Sequence, residues 1–162
     1  SAYFAGKYEL AIERFDRLSE IAPDYPWGLH WLALAYAELG DYERAIDLLQ
    51  RALQLSPGQT VAVGRLGLFY GLSGQPELAR KMLAECDRLS AGRFVDPFLR
   101  AWSWIGLDDL TMALRLYEEA FALRSPLFTI VPVDPPSVRL AKLPGFASLF
   151  RRLHYPVTGL IE

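Results

Sequence analysis

Few groups in the chain are of a type that does chemistry, and their spacing decides how each is read. The 162 residues include two histidines, His30 and His154, and one thiol, Cys86. His30 as a metal ligand or general base needs a second ligand or an orienting acid one turn away, and none stands there. It shares its helix with Trp27 and Trp31, so it reads as a residue that lines or caps a groove. Cys86 as a nucleophile needs a lowered pKa. It stands at the offset that holds Ala52 and Ala120 elsewhere in the chain, which makes it a small packing residue. Paired carboxylates such as Asp108-Asp109 can hydrolyse glycosidic bonds, yet these two fall in a turn at the start of a helix, whose first N–H groups need an acceptor. Glu118-Glu119 reads as a solvated face. Arg151-Arg152, near the end of a short terminal helix, suits the negative end of the helix dipole better than a phosphate. The glycines of GRLGLFYGLSG lack the preceding strand that a dinucleotide-binding turn requires. No catalytic, cofactor-binding or metal-ligating residue is expected, and no enzymatic activity of the chain itself.

The elements that hold these residues repeat. In the stretch from Pro26 to Gln59, Leu32, Ala33 and Tyr36 precede Gly40, and Ala45, Leu49, Ala52 and Pro57 follow it. A forward step of about 34 residues lands on Leu66, Gly67, Tyr70, Gly74, Ala79, Leu83 and Cys86. The backward step lands on Gly6, Tyr8, Ala11, Phe15, Leu18 and Pro23. A later copy keeps Ala101, Trp104, Asp108, Ala113, Tyr117 and Ala120. The pattern describes helical hairpins. Ala33, Gly67 and Ala101 sit at the close contact of each first helix. Ala11, Ala45, Ala79 and Ala113 do the same on each second helix, where a larger side chain would push the axes beyond about 8–10 Å. On these positions the sequence resembles the tetratricopeptide repeat family. The resemblance implies an all-α fold, an α-solenoid of antiparallel helix pairs with a short, partly helical C-terminal cap. It divides the chain into an array over residues 1–125 (a partial first repeat 1–25, then 26–59, 60–93 and 94–125) and a capping segment, 126–162.

Composition fits that fold. Just over half of the residues are apolar and the formal net charge is −2, so no basic surface recommends nucleic acid as a partner. No apolar run has the length of a membrane span, and no signal-peptide pattern opens the chain. With a single cysteine there is no internal disulfide, and a cytoplasmic location is expected. The chain opens with Ser1, and Gly6 already stands at the turn inside a repeat whose first helix is missing, so a longer parent protein is expected.

Taken in order, helices are predicted over about Tyr8 to Ile21, Trp27 to Leu39, a segment capped by Asp41 and ended by Ser56-Pro57, a glycine-rich helix after Gln59, one opened by Pro76, one from Asp96-Pro97 to Gly106, and Leu110 to Leu123. Gly64, Gly67 and Gly71 each forfeit about 1 kcal/mol against alanine inside a helix. Gly67 is accounted for by close contact with its partner helix, whereas Gly64 and Gly71 are expected to leave bare backbone on the inner face. From Leu127 the periodicity fails in a segment rich in proline and apolar residues together, which should be folded against the array. Val138 to Lys142 and Pro144 to Leu153 read as short helices, and Leu127 to Val131 as either a helical turn or an extended segment. A narrower resemblance joins Val133-Asp134-Pro135, Leu140, Pro144, Phe146, Leu149, Phe150, Arg151, Arg152 and Pro156 to the end of the tetratricopeptide regions of bacterial multidomain regulators. There such a region follows a class III adenylyl cyclase, a winged-helix domain or a kinase. The resemblance implies a signalling or transcriptional parent protein.

Family register places the concave face on the first helix of each hairpin. That gives a partner-binding groove of Trp27, His30, Trp31, Leu34, Gly64, Arg65, Leu68, Gly71, Leu72, Phe98 and Trp102, with Tyr3 and Phe4 at its start. The groove is almost wholly apolar and lacks the lysines and asparagines with which chaperone-binding members clamp a carboxylate terminus. The expected partner is a protein or peptide that presents an amphipathic helix or an extended apolar segment. The alternative is a structural or oligomerisation module whose groove is filled by its own tail or by a second copy, a homodimer. An apolar patch of that size needs cover. The tail is expected to cover the end near Trp102 and to leave Trp27 and Trp31 for a partner.

Overall fold

A computed structural model describes residues 8–153. Helix α1 (Tyr8–Ile21) precedes three hairpins: α2 (Pro26–Glu38) with α3 (Tyr42–Leu55), α4 (Thr60–Leu72) with α5 (Pro76–Ser90), and α6 (Pro97–Gly106) with α7 (Leu110–Ala122). A 3₁₀ helix (Pro126–Val133), α8 (Pro135–Leu140) and α9 (Pro144–Arg152) follow. The expected positions Tyr3, Phe4, Gly6, His154 and Pro156 lie outside the described residues.

Local chemistry sets the helix ends. Asp41, Asp96 and Asp109 accept from the backbone N–H groups of Arg44, Phe98 and Met112 at 3.1, 2.9 and 3.0 Å, each satisfying a donor that a helix start leaves orphaned. Pro26, Pro76, Pro97 and Pro144 stand in the first turn, where their missing N–H is no loss. The turn inside each hairpin needs a left-handed residue. Gly40 (φ 82°) and Gly74 (φ 78°) supply it in two hairpins, and Asp108 (φ 60°) takes the same place in the third.

The small residues form the axis-to-axis contacts. Ala33, Ala45, Ala79, Ala101 and Ala113 are completely buried and Ala11 nearly so. Cys86 is completely buried among Val63, Val95 and their neighbours, and burial pushes its thiol up to about 11, so it stays protonated and inert near neutrality. Replacing Ala45 by Leu puts three extra carbons into a zero-clearance contact. Thermal melting should show a loss of about 1–3 kcal/mol; an unchanged Tm would mean that α3 faces its neighbours by a different side.

Spacing between the hairpins is uneven, and the glycines of α4 explain why. A Cβ on Gly64 would lie 2.6 Å from the Leu99 carbonyl oxygen, and one on Gly71 would lie 2.2 Å from Gly106 backbone atoms. One on Gly67 would meet Ser103 Oγ at 1.8 Å and Met82 Cβ, on its partner helix α5, at 3.3 Å. Gly106 answers from α6, its Cβ position 2.6 Å from the Leu68 carbonyl oxygen. All three glycines of α4 therefore serve one seam, pressed backbone to backbone against α6. The expectation that Gly64 and Gly71 leave bare backbone in the groove is thus corrected, since the neighbouring hairpin closes over them. Helices α2 and α4, by contrast, hardly approach each other.

The C-terminal segment folds back on the last hairpin. Leu127 to Val131 is helical, as part of the 3₁₀ helix, whose first turn is capped by Ser125 Oγ accepting from Leu127 N at 3.1 Å. Phe128 lies edge-on to Phe98 and Phe121 and tilted against Tyr117, and Phe146 and Phe150 also meet the Tyr117 ring. Arg152 Nη1 donates to both carboxylate oxygens of Glu118 at 2.8 and 3.0 Å, with its guanidinium over Phe121. The pair lies on a solvated face, with the Glu118 side chain 41% exposed and Glu119 beside it exposed.

Candidate functional site: a pocket between the first two hairpins

Where α2 and α4 diverge, a pocket of about 200 Å³ remains. Helix α2 supplies Trp27, His30, Trp31 and Leu34, α4 supplies Val61 and Arg65, and α6 supplies Trp102. The fourth wall is not part of the array. It consists of Leu127 and Ile130 from the 3₁₀ helix and Asp134 at its end.

Of the expected groove residues, six meet in this pocket: Trp27, His30, Trp31, Leu34, Arg65 and Trp102. Five do not. Leu68 and Phe98 are completely buried in the core, and Gly64 and Gly71 lie in the α4–α6 seam. Leu72 is exposed, outside the pocket. Closing α4 on α6 removes Gly64 and Gly71 from any channel between those helices, and Phe98 is taken up by the aromatic cluster with Tyr117 and Phe128.

Arg65 and Asp134 form an ion pair that is almost wholly buried, with side chains only 3% and 2% exposed. The guanidinium also stacks on Trp102, 3.6 Å from the ring centroid, a cation–π contact in a desolvated place. The other carboxylate oxygen of Asp134 accepts from Ser137 N at 3.2 Å and Ser137 Oγ at 2.7 Å, capping α8. Ser137 Oγ in turn lies 3.3 Å from Tyr117 OH. Burial, and then the Asp134 charge, push that hydroxyl well above its ordinary value. The network is charge-neutral and most of its groups are satisfied, which is the condition under which burying an ion pair is tolerable.

Leu127, Ile130 and Asp134 escaped the groove assigned from family register. A signal for Asp134 exists in the chain: Arg65 is the only charged residue of α4, and Asp134 is the only acid between Leu127 and Leu153. A lone charge in an apolar helix needs a partner, and these two are each other's complement.

His30 is buried and stands edge-on to both Trp27 and Trp31. Its Nδ1 has no hydrogen-bond partner among the described residues. Burial, and then the Arg65 charge, lower its pKa from 6.5 to about 3. The imidazole is therefore neutral in the folded protein, while the unfolded chain takes up a proton near 6.5. The pocket's contribution to stability is complete above that pH and is lost as pH falls from 6.5 towards 3, at about 1.4 kcal/mol per pH unit. Chemical denaturation at pH 7, 6, 5 and 4 should show this slope, and His30→Phe should remove it; equal slopes in both proteins would place His30 in a wetter site.

Among the described residues there is no group of three or more His, Cys, Asp or Glu side chains arranged to hold a metal. No described helix is long and apolar enough to cross a membrane.

Comparison with known proteins agrees with the hairpin geometry. A Tetratricopeptide repeat model matches residues 26–59, and a TPR repeat model matches residues 2–40. The MamA 41-end chain from Desulfovibrio magneticus RS-1 superposes with a TM-score of 0.55 at 21% identity, over 98% of this chain and 84% of that one. The MamA RS-1 ArsTM double mutant does so with a TM-score of 0.52 at 22% identity, over 98% and 88%. The fold is a tetratricopeptide α-solenoid. No curated protein matches the chain. Within that solenoid the α2–α4 pocket draws its lining from the first helices of all three hairpins.

Proposed function

We propose that the chain is a protein-interaction module that receives one large apolar side chain of a protein or peptide partner in the α2–α4 pocket. The observation that carries this reading is the pocket itself. Three tryptophans, a neutral histidine and aliphatic side chains line it, and its only charges cancel within the wall. Deep, desolvated, aromatic pockets of this kind hold the anchor residues that dominate interface energetics. At about 200 Å³ it is smaller than the clefts that enclose drug-sized ligands or cofactors. The partner's segment, an amphipathic helix or an extended strand, reaches the pocket from the Trp27 side, where Trp27 is 43% exposed. Catalysis is no part of this reading, because the candidate groups are engaged elsewhere. Asp109 caps α7, Cys86 is a core residue, and the one acid that lines the pocket with His30, Asp134, is paired with Arg65.

The resemblance of the segment around Val133-Asp134-Pro135 and Arg151-Arg152 to the end of regulator arrays supports a cytoplasmic bacterial regulator as the parent protein, with residues 1–125 as its array and 126–162 as the cap. The alternative, a groove filled from within, is favoured by one observation: Leu127 and Ile130 already form a wall.

Peptide-display selection on the purified chain tests the proposal. Selected peptides should share one bulky apolar residue and shift the tryptophan emission on binding. Val61→Trp, which fills the pocket from its half-buried rim, should weaken them by about thirtyfold or more, the effect of losing a 2 kcal/mol anchor. Peptides that bind the Val61→Trp chain equally well would move the site elsewhere. Selection of none, with a concentration-dependent dimer by sedimentation, would favour the homodimer.

A further inference from the structure

We propose that residues 126–141 form a detachable strap, an internal occupant of the concave face whose latch is the Arg65–Asp134 pair and whose release extends the pocket into a longer groove. This rests on the pocket being the partner site, and it adds how that site is regulated.

The strap runs between two fixed points. At one end Ser125 Oγ donates to Asp96 Oδ2 at 2.5 Å and caps the 3₁₀ helix. At the other, α9 is held independently by Phe146 and Phe150 against Tyr117 and by Arg152 on Glu118. Between them, Lys142 and Leu143 are exposed and provide slack. The strap's backbone makes few close approaches to α2, α4 or α6. It is held by side chains: Leu127 and Ile130 at the pocket, Phe128 in the aromatic cluster, Val131, Leu140 and Ala141 buried against the core, Ser137 beside Tyr117, and Asp134 on Arg65. A segment tethered at both ends, with its backbone hydrogen-bonded within itself and, among the described residues, not to the helices it covers, is a candidate for opening as a unit of its own.

Opening removes the Leu127, Ile130 and Asp134 wall from Arg65 and Trp102, which already line the pocket, and so lengthens it along α4 and α6. The partner that displaces the strap must do what the strap does. It presents apolar side chains one turn apart, in the places of Leu127 and Ile130, and a carboxylate about one turn further on to replace Asp134 on Arg65. Without that carboxylate the partner leaves Arg65 buried and unpaired, so only an acidic apolar segment completes the exchange.

Hydrogen–deuterium exchange on the full chain tests this in the protein as it exists. The expected result is that amides of 127–131 and 137–141 exchange about tenfold or more faster than those of α4 and α6, with a weaker dependence on denaturant than global unfolding shows. Asp134→Asn, which keeps the α8 cap and weakens the latch, should accelerate strap exchange by a further factor of about ten, with the α4 amides remaining slower than those of the strap. Strap amides that exchange only in step with α4 in the unsubstituted chain would overturn the proposal, whatever Asp134→Asn does to folding. That outcome leaves the pocket reading intact, whereas failure to select any pocket-binding peptide sinks the pocket reading and leaves the strap measurement standing.

Discussion

Gly71→Ala should destabilise the protein by about 3 kcal/mol or more, at the upper end of what overpacking does. The sign is the informative part. Inside an isolated helix the same substitution gains about 1 kcal/mol, because alanine loses less backbone entropy than glycine. Here the new Cβ would lie 2.2 Å from the backbone carbonyl carbon and oxygen of Gly106. Those are not the ends of flexible side chains that can swing aside. To admit one methyl group, α4 and α6 must separate along the seam, and Gly64 against Leu99 and Gly106 against Leu68 lose contact with it. Gly74→Ala is a useful contrast. It has no atom near its Cβ position but holds φ at 78°, so it costs only the smaller penalty of a left-handed alanine. Denaturant melts of the two variants should rank Gly71→Ala well below Gly74→Ala. A Gly71→Ala protein more stable than the parent would show that the seam does not exist.

The second large effect is at the buried ion pair. Arg65→Met keeps the length and apolar bulk of the side chain, and it leaves Asp134 charged, 2% exposed and without its counter-ion. Removing one partner of such a pair costs about 3–5 kcal/mol, more than the pair contributes when both partners are replaced. Adding Asp134→Asn to Arg65→Met should therefore recover a substantial part of the loss, since Asn keeps an oxygen for Ser137 N and Ser137 Oγ and carries no charge. The single variant should melt lower than the double one at neutral pH. A single variant within about 0.5 kcal/mol of the parent would mean that water reaches Asp134 and the pair lies at the surface.

Sequence and structure divide the account of this protein along a physical line. The repeat of Ala33, Ala45, Ala79, Ala101 and Ala113 at fixed offsets is enough to state the helices, their pairing into hairpins and the solenoid, because each statement depends on residues a few turns apart. The same is true of Asp41 and Asp109 as caps, and of Cys86 as packing, where the local offset carries the whole argument. The partner groove is a different kind of object. Its width depends on how close α2, α4 and α6 come to each other, which is a sum over side chains from two or three hairpins. The family register places Gly64, Leu68, Gly71 and Phe98 beside His30 and Trp31. Only the folded protein shows that glycines close α4 on α6 while Trp27, Trp31 and Trp102 line an open space between α2 and α4, so one end is a seam and the other a pocket. The far wall is further still from local pattern, since Arg65 and Asp134 stand 69 residues apart. Each is visible in the sequence as a lone charge in apolar surroundings. Which charge answers which is decided only when the tail folds back over the array, because Coulomb pairing in a dry interior depends on distance in space and not along the chain.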